Sequence, residues 1–235
     1  IHMIVVWGGL ALGQGLFAVD DPAGVSLFLL ASILLSISLI PILLTEIKAP
    51  EADIQESLGL RALWKASPSG VATIGLSGLA SAGFFGVGTI YAVKAGLSVS
   101  QTALFMTLFI GFGAASQWPL GWLSDKIDRR KVIMFCCVTV ICICIVLASF
   151  EFTSTILLIL SALVGAFTLP LYSLGVAQSN DRLEPKQMIS ASGTIVLVFS
   201  IFAALGPFTM SYFLELFEMF GFMIYMGIVH LVIAV

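Results

Sequence analysis

Positions 126–150 read Lys126-Ile127-Asp128-Arg129-Arg130-Lys131-Val132-Ile133-Met134-Phe135-Cys136-Cys137-Val138-Thr139-Val140-Ile141-Cys142-Ile143-Cys144-Ile145-Val146-Leu147-Ala148-Ser149-Phe150. Four basic residues in six positions give way to 19 positions without a charge. A helix crossing a hydrocarbon layer of about 30 Å needs roughly 20 apolar residues. Inside lipid every backbone N–H and C=O must find an internal partner, so only helices or closed barrels can cross. Barrel strands alternate apolar and polar residues over about ten positions. Here, as in Ile156-Leu157-Leu158-Ile159-Leu160, every side is apolar. The reading is helical.

The rest of the chain repeats this design. Of its 235 residues, 60% are hydrophobic and 10% are charged, and its mean hydropathy is +1.13. A soluble domain carries about 25% charged residues to keep its surface solvated. Ten basic and 13 acidic side chains cannot cover a water-facing surface of this size. That excludes a soluble enzyme and a nucleic-acid binder. The net charge of −3 adds little, because distribution matters more than sum in a membrane protein. Charge-free runs occupy 1–19, 22–45, 66–93, 95–124, 132–150, 152–180, 187–214 and 219–235. The expected fold is all-α, a polytopic membrane helix bundle of about eight spans.

The basic residues orient it. Taken in order, the connection at Asp20-Asp21 has none, the next has Lys48, Arg61 and Lys65, and the third has only Lys94. The fourth holds Lys126, Arg129, Arg130 and Lys131, the fifth none, the sixth Arg182 and Lys186, and the seventh, with Glu215 and Glu218, none. Nine of ten thus fall on one face, which the positive-inside rule assigns to the cytoplasm. The alternation also supports the count of crossings. The chain opens at Ile1 within an apolar run and stops at Leu231-Val232-Ile233-Ala234-Val235, with no signal-peptide pattern. It reads as a piece of a longer chain.

The one sizeable polar stretch is 46–69. Glu46 to Glu56, acidic and containing Pro50, reads as a flexible linker. In Ser57 to Ser67, Leu60, Leu63 and Trp64 stand at i, i+3 and i+4 beside Arg61 and Lys65, the pattern of a short amphipathic helix on the inner membrane surface, ended by Pro68. An irregular loop with chance periodicity is the other reading. Gly9 and Gly13 form a G-x-x-x-G, and Gly75, Gly78, Gly83, Gly86 and Gly88 crowd the third span. Such glycines let helices approach closely in lipid; bending motion would use them equally. Pro41, Pro119, Pro170 and Pro207 predict local kinks.

Gly121-Trp122-Leu123-Ser124-Asp125-Lys126-Ile127-Asp128-Arg129-Arg130-Lys131 joins two spans through a very short turn. Asp125 can accept backbone N–H groups at the next helix's start or meet a helix N-terminus nearby. The basic cluster can hold anionic lipid or an acidic partner. Topology alone explains the basic residues but not Gly-x-Leu-Ser-Asp. This stretch resembles the signature loop of the major facilitator superfamily, G-x-L-x-D-[RK]-x-G-R-[RK]. Gly121, Leu123, Asp125, Lys126, Arg129 and Arg130 match it, while Asp128 stands where the pattern has glycine. The loop occurs twice in that family, more weakly between spans eight and nine, and two spans plus the long loop plus two spans place this copy there. Ser116-Gln117-Trp118-Pro119-Leu120-Gly121, Ala166-Phe167-Thr168-Leu169-Pro170-Leu171-Tyr172 and Ala203-Ala204-Leu205-Gly206-Pro207 are similar to the bacterial YcaD-like branch.

The resemblance covers the whole chain and implies family spans five to twelve. Residues 1–45 would be the last two spans of the N-terminal half, 46–69 the cytoplasmic central loop, and 70–235 the C-terminal six-helix half. It implies a secondary active transporter moving a small solute by alternating access, an exporter among the options, in a bacterial inner membrane. Its partners would be the lipid bilayer and the missing N-terminal helices of the same chain, with no nucleic acid. The signature loop, Gly121, Leu123, Asp125, Lys126, Arg129 and Arg130, would act in gating. Asp125 would meet a helix N-terminus and Arg129 an acidic group. Spans that line the family's cavity carry Gln14, Phe84, Phe85, Tyr91, Gln117, Thr168, Tyr172 and Ser200 here, the expected substrate pathway. A buried amide such as Gln14 or Gln117 needs a hydrogen bond or water; a neighbouring helix and a wet cavity satisfy it equally.

No Asp, Glu, Lys or Arg lies deep in a span, so this part presents no obvious proton carrier. A neutral, aromatic pathway suits an uncharged or lipophilic solute. His230 reads as a packed histidine, and Cys136, Cys137, Cys142 and Cys144, on one apolar span, read as small hydrophobes rather than metal ligands. No catalytic residue, metal or cofactor is expected. A membrane-embedded enzyme would need clustered His, Asp, Glu or Ser machinery, which the spans lack. A non-transporting membrane sensor or scaffold with the same fold is the alternative function.

Overall fold

A computed structural model of the chain describes residues 2–16, 24–45, 58–150 and 153–235. The linker part of the polar stretch, 46–57 with Lys48, and the connection at Asp20-Asp21 lie outside these. The described residues form helices and no strand. In order they are α1 (His2–Gly15), α2 (Ser26–Leu44), α3 (Leu60–Ala66), α4 (Pro68–Lys94), α5 (Val99–Lys126), α6 (Arg129–Ser149), α7 (Ser154–Thr168), α8 (Pro170–Asn180), α9 (Pro185–Phe217) and α10 (Met219–Ala234). All eight apolar runs therefore carry helix. Five helices, with α7 and α8 taken as one stretch Ser154–Asn180, are long and apolar enough to cross a membrane; Val5–Gln14, Ser26–Pro41 and Met219–Ala234 are shorter apolar helices.

Local chemistry sets the helix ends. Ser98 and Gln101 form a reciprocal capping box at the start of α5, with Gln101 N to Ser98 Oγ at 3.3 Å and Ser98 N to Gln101 Oε1 at 3.0 Å. Pro68 and Pro170 each take a first-turn position, where a missing N–H costs nothing. Pro170 thereby divides the predicted sixth span into α7 and α8. Pro41, Pro119 and Pro207 lie inside α2, α5 and α9. Pro68 does not end the amphipathic segment; α3 stops at Ala66 and Pro68 begins α4. Of the apolar face expected on α3, Leu63 is buried with Val71, Ile74, Ile195 and Val198, while Leu60 and Trp64 stay exposed.

Packing between helices relies on close approach, because lipid offers no hydrophobic drive to associate. Gly75, Gly78 and Gly86 of α4 face α9. A Cβ on Gly78 would lie 2.6 Å from the Phe199 carbonyl oxygen, and one on Gly206 would lie 2.7 Å from Gly83 N and from Leu79 O. A methyl added at Gly9 or Gly13 would meet nothing within 4 Å, so the G-x-x-x-G packs against no described neighbour. Where α4, α5 and α10 meet, an aromatic core forms. Phe84 stacks on Phe109 at 3.5 Å between centroids and 8° between planes, and Tyr91 stacks on Phe222 at 4.2 Å. The Tyr225 hydroxyl, buried in the same region, donates to the Leu79 carbonyl at 3.0 Å, as a buried polar group must find a partner.

The tertiary structure sorts the helix ends into two groups. The starts of α4, α6 and α9 and the ends of α3, α5 and α8 gather at one end, which carries Arg61, Lys65, Lys126, Arg129, Arg130, Lys131, Arg182 and Lys186. Tyr91 and Lys94 from the end of α4, Leu147 to Phe150 from the end of α6, and Glu218 to Phe220 at the start of α10 surround a cavity of about 610 Å³ at the opposite end. The charge alternation read along the chain thus becomes a basic end and a far end.

Candidate functional site

The turn between α5 and α6 is built by Asp128. Its carboxylate accepts the Arg130 backbone N–H at 2.9 Å and caps α6. Its φ of −54° lies in the ordinary region, so this turn does not need the glycine of the family pattern. Capping α6 therefore falls to Asp128 and not to Asp125, whose carboxylate is engaged elsewhere.

That engagement is with Arg129. Its Nη2 lies 2.9 Å from Asp125 Oδ1, and its Nε donates to Asp181 Oδ2 at 2.6 Å. Its Nη1 donates to Ser124 Oγ at 2.8 Å, while the Ser124 hydroxyl donates to the Gly121 carbonyl, also at 2.8 Å. One guanidinium thus joins the end of α5, the start of α6 and the residue just after α8. The planar fork of arginine suits this; an ammonium cannot match three directions at once. Arg129 is mostly sheltered, with 20% of its side chain exposed, whereas Asp125 and Asp181 are open to solvent at 64% and 53%. An isolated exposed pair contributes only about 0.2–1 kcal/mol, so the value of this arrangement lies in the geometry it holds more than in raw stability.

Behind the arginine lies a cavity of about 230 Å³ between α5 and α8, lined by Gln117, Gly121, Asp125, Arg129, Ser173 and others. Gln117, Gly121, Ser124 and Asp125 share one face of α5, spaced at roughly one and two turns. Gln117 Oε1 accepts the Ser173 hydroxyl at 2.9 Å, and its buried Nε2 has no partner among the described residues. Leu123 packs against the cluster of Leu120, Val132, Ile133, Cys136, Cys137, Leu171 and Leu174, which anchors the turn to the bundle. Lys126 and Arg130 are exposed.

The other expected pathway residues do not converge on this cavity. Phe84 is buried in the aromatic core; Phe85 stacks on Trp7 of α1 at 5.8 Å and meets Phe109 edge-on at the same distance. Tyr91 lines the far-end cavity. Thr168 is buried, and its hydroxyl shares a hydrogen bond of 3.1 Å with His230 Nε2, while His230 Nδ1–H donates to the Met226 carbonyl at 2.7 Å. Tyr172, half-buried, meets Phe199 edge-on at 4.8 Å; Ser200 is exposed on α9 and Gln14 is half-buried on α1. Sequence reasoning passed over Asp181, Ser124 and Ser173. Asp181 stands 52 positions from Arg129, and the signal available was an acid directly beyond the end of a span on the basic face.

The family model of the Major Facilitator Superfamily matches residues 8–153 and again 70–235. The chain belongs to that family. It is 24% identical over 208 residues to a protein of Escherichia fergusonii called "Uncharacterized MFS-type transporter YcaD", covering 88% of this chain and 53% of that protein. Proteins of the same name from Escherichia coli O139:H28 and Shigella flexneri are 26% identical over the same lengths. The chain spans about half the length of these relatives. No solved structure gives a significant match.

Proposed function

We propose that this chain is the greater part of a secondary active transporter that moves a small solute across a bacterial inner membrane by alternating access. Residues 1–45 then belong to the N-terminal half, 46–69 to the cytoplasmic central loop, and 70–235 to the C-terminal half. The basic end faces the cytoplasm. The observation that carries the reading is Arg129 joining Asp125, Ser124 and Asp181 at the mouth of a small cavity that reaches Gln117. This ionic latch would break and re-form as the helix ends shift during rocking of the halves, which would couple rocking to gating. The relatives, called MFS-type transporters, support the same reading.

The test is solute flux in vesicles containing the full-length protein. Asp125→Asn removes one charged contact to Arg129 and leaves the chain's threading untouched. Transport slowed by about tenfold, equivalent to ~1.4 kcal/mol on the barrier, is expected at normal surface level. Normal flux at normal level would remove the latch from the mechanism. Absence of flux for a broad solute panel in the unmodified protein would favour a sensor or scaffold.

A further inference from the structure

The cavity of about 610 Å³ at the end opposite the basic one shares no lining residue with the one behind the latch, and three oddities of the chain meet on its wall. The first is Lys94, the single basic residue of ten that falls outside the basic face. The second is Glu218, which joins α9 to α10 with φ 51° and ψ −131°. It is the one non-glycine residue with a positive φ among the described residues. A β carbon is crowded in that region, which glycine occupies freely. Glu218 is not there to cap α10, because its side chain makes no bond to the first turn of that helix. Strain of this kind persists where a side chain has a use. The third is Tyr91, only 2% exposed, whose ring stacks on Phe222 at 4.2 Å. Its hydroxyl makes no hydrogen bond to any described residue, whereas the Tyr225 hydroxyl binds the Leu79 carbonyl. A buried phenol needs a partner, and the cavity that Tyr91 lines is where one can sit.

The charges decide the kind of ligand. Lys94 and Glu218 form no ion pair with each other or with another described residue, so each leaves a full charge at the cavity wall. The lysine repels a simple cation and the glutamate repels a simple anion. A molecule that carries both charges is attracted by both. The rest of the wall is mostly apolar, with Leu157, Phe220 and Met223, and receives a hydrocarbon body or a ring. The volume falls within the range of about 300–1,000 Å³ that small-molecule sites occupy.

We propose that this cavity binds a small zwitterion with an apolar body, its carboxylate on Lys94, its ammonium on Glu218 and a polar atom on the Tyr91 hydroxyl. The site rests on this cavity and not on transport, so its failure would leave the latch untouched. The experiment is equilibrium dialysis of labelled phenylalanine against the full-length protein in detergent, with phenylalaninamide, hydrocinnamate and a short-chain phosphatidylethanolamine as competitors. Phenylalanine is expected to bind about tenfold more tightly than the amide, which lacks the carboxylate, or hydrocinnamate, which lacks the ammonium. Lys94→Gln should bring phenylalanine down to the level of the amide, and Glu218→Gln to that of hydrocinnamate. Tyr91→Phe, which keeps the ring on Phe222, should weaken binding by about fivefold. Glu218→Gly should raise the thermal unfolding midpoint while losing the ligand, as relief of strain requires. Glu215→Gln, which removes an acid at the same end but outside the cavity, should change the affinity by less than about twofold. Absence of saturable phenylalanine binding, equal affinity for the three phenyl probes, or the same loss in Glu215→Gln as in Glu218→Gln would overturn the site. Tighter binding of the phosphatidylethanolamine than of phenylalanine would overturn a free solute as its occupant.

Discussion

Arg129 is held by three acceptors, two from the end of α5 and one just beyond α8, and its replacement separates charge from shape. Arg129→Lys keeps the positive charge but cannot reach Asp125 Oδ1, Asp181 Oδ2 and Ser124 Oγ together, so it should behave nearly as poorly as Arg129→Gln in vesicle flux. A lysine variant with full activity would mean that charge alone suffices. Exchanging the partners, Arg129→Asp with Asp181→Arg, should recover part of the loss, and a double-mutant cycle on flux would measure a coupling of about 0.5–3 kcal/mol. Additive losses would show that the two side chains act separately. The basic residue itself was legible in the turn motif. Its partner was not, because the 52 positions between them carry no pattern that points one residue at the other.

At the level of elements, the seam between α4 and α9 is where glycine matters most. Gly78→Ala would place a methyl 2.6 Å from the Phe199 backbone oxygen, which cannot swing aside as a side chain can. The helices must part, at a cost of about 1–3 kcal/mol, and thermal unfolding in detergent should fall accordingly. Gly193→Ala, on α9 with nothing within 4 Å, should be neutral or raise stability by about 0.5–1 kcal/mol through lower backbone entropy in the unfolded chain. Equal effects at the two sites would mean that the seam tolerates separation. The crowding of glycines on α4 could be read from sequence, but their partner helix could not. The same small-residue signal at Gly9 and Gly13 led to no described contact, since spacing announces a smooth face without saying what lies against it.

Across the whole molecule, the threading predicts which positions an impermeant reagent can reach. In a background with Cys136, Cys137, Cys142 and Cys144 replaced, Lys94→Cys should react with a membrane-impermeant maleimide in intact cells. Arg61→Cys and Arg130→Cys should react only after the membrane is opened. Arg61 and Arg130 appearing on opposite sides would break the threading and, with it, the assignment of the basic end to the cytoplasm.

The order of residues alone dictates this protein's solvent, its secondary structure and its expected threading. Those follow from hydration: charges cannot stay in hydrocarbon and unpaired backbone cannot either, so the spacing of charges governs where helices cross and which ends are wet. The turn motif added the family. Which side chains meet was left to the folded bundle, namely Arg129 with Asp181, Thr168 with His230, Gln117 with Ser173 and Gln178 with Ser69. Those pairings depend on helix rotation and on the distance between axes, which are set by the fit of glycines and rings across each seam. A run that is apolar on every side leaves both undetermined until its neighbours are in place.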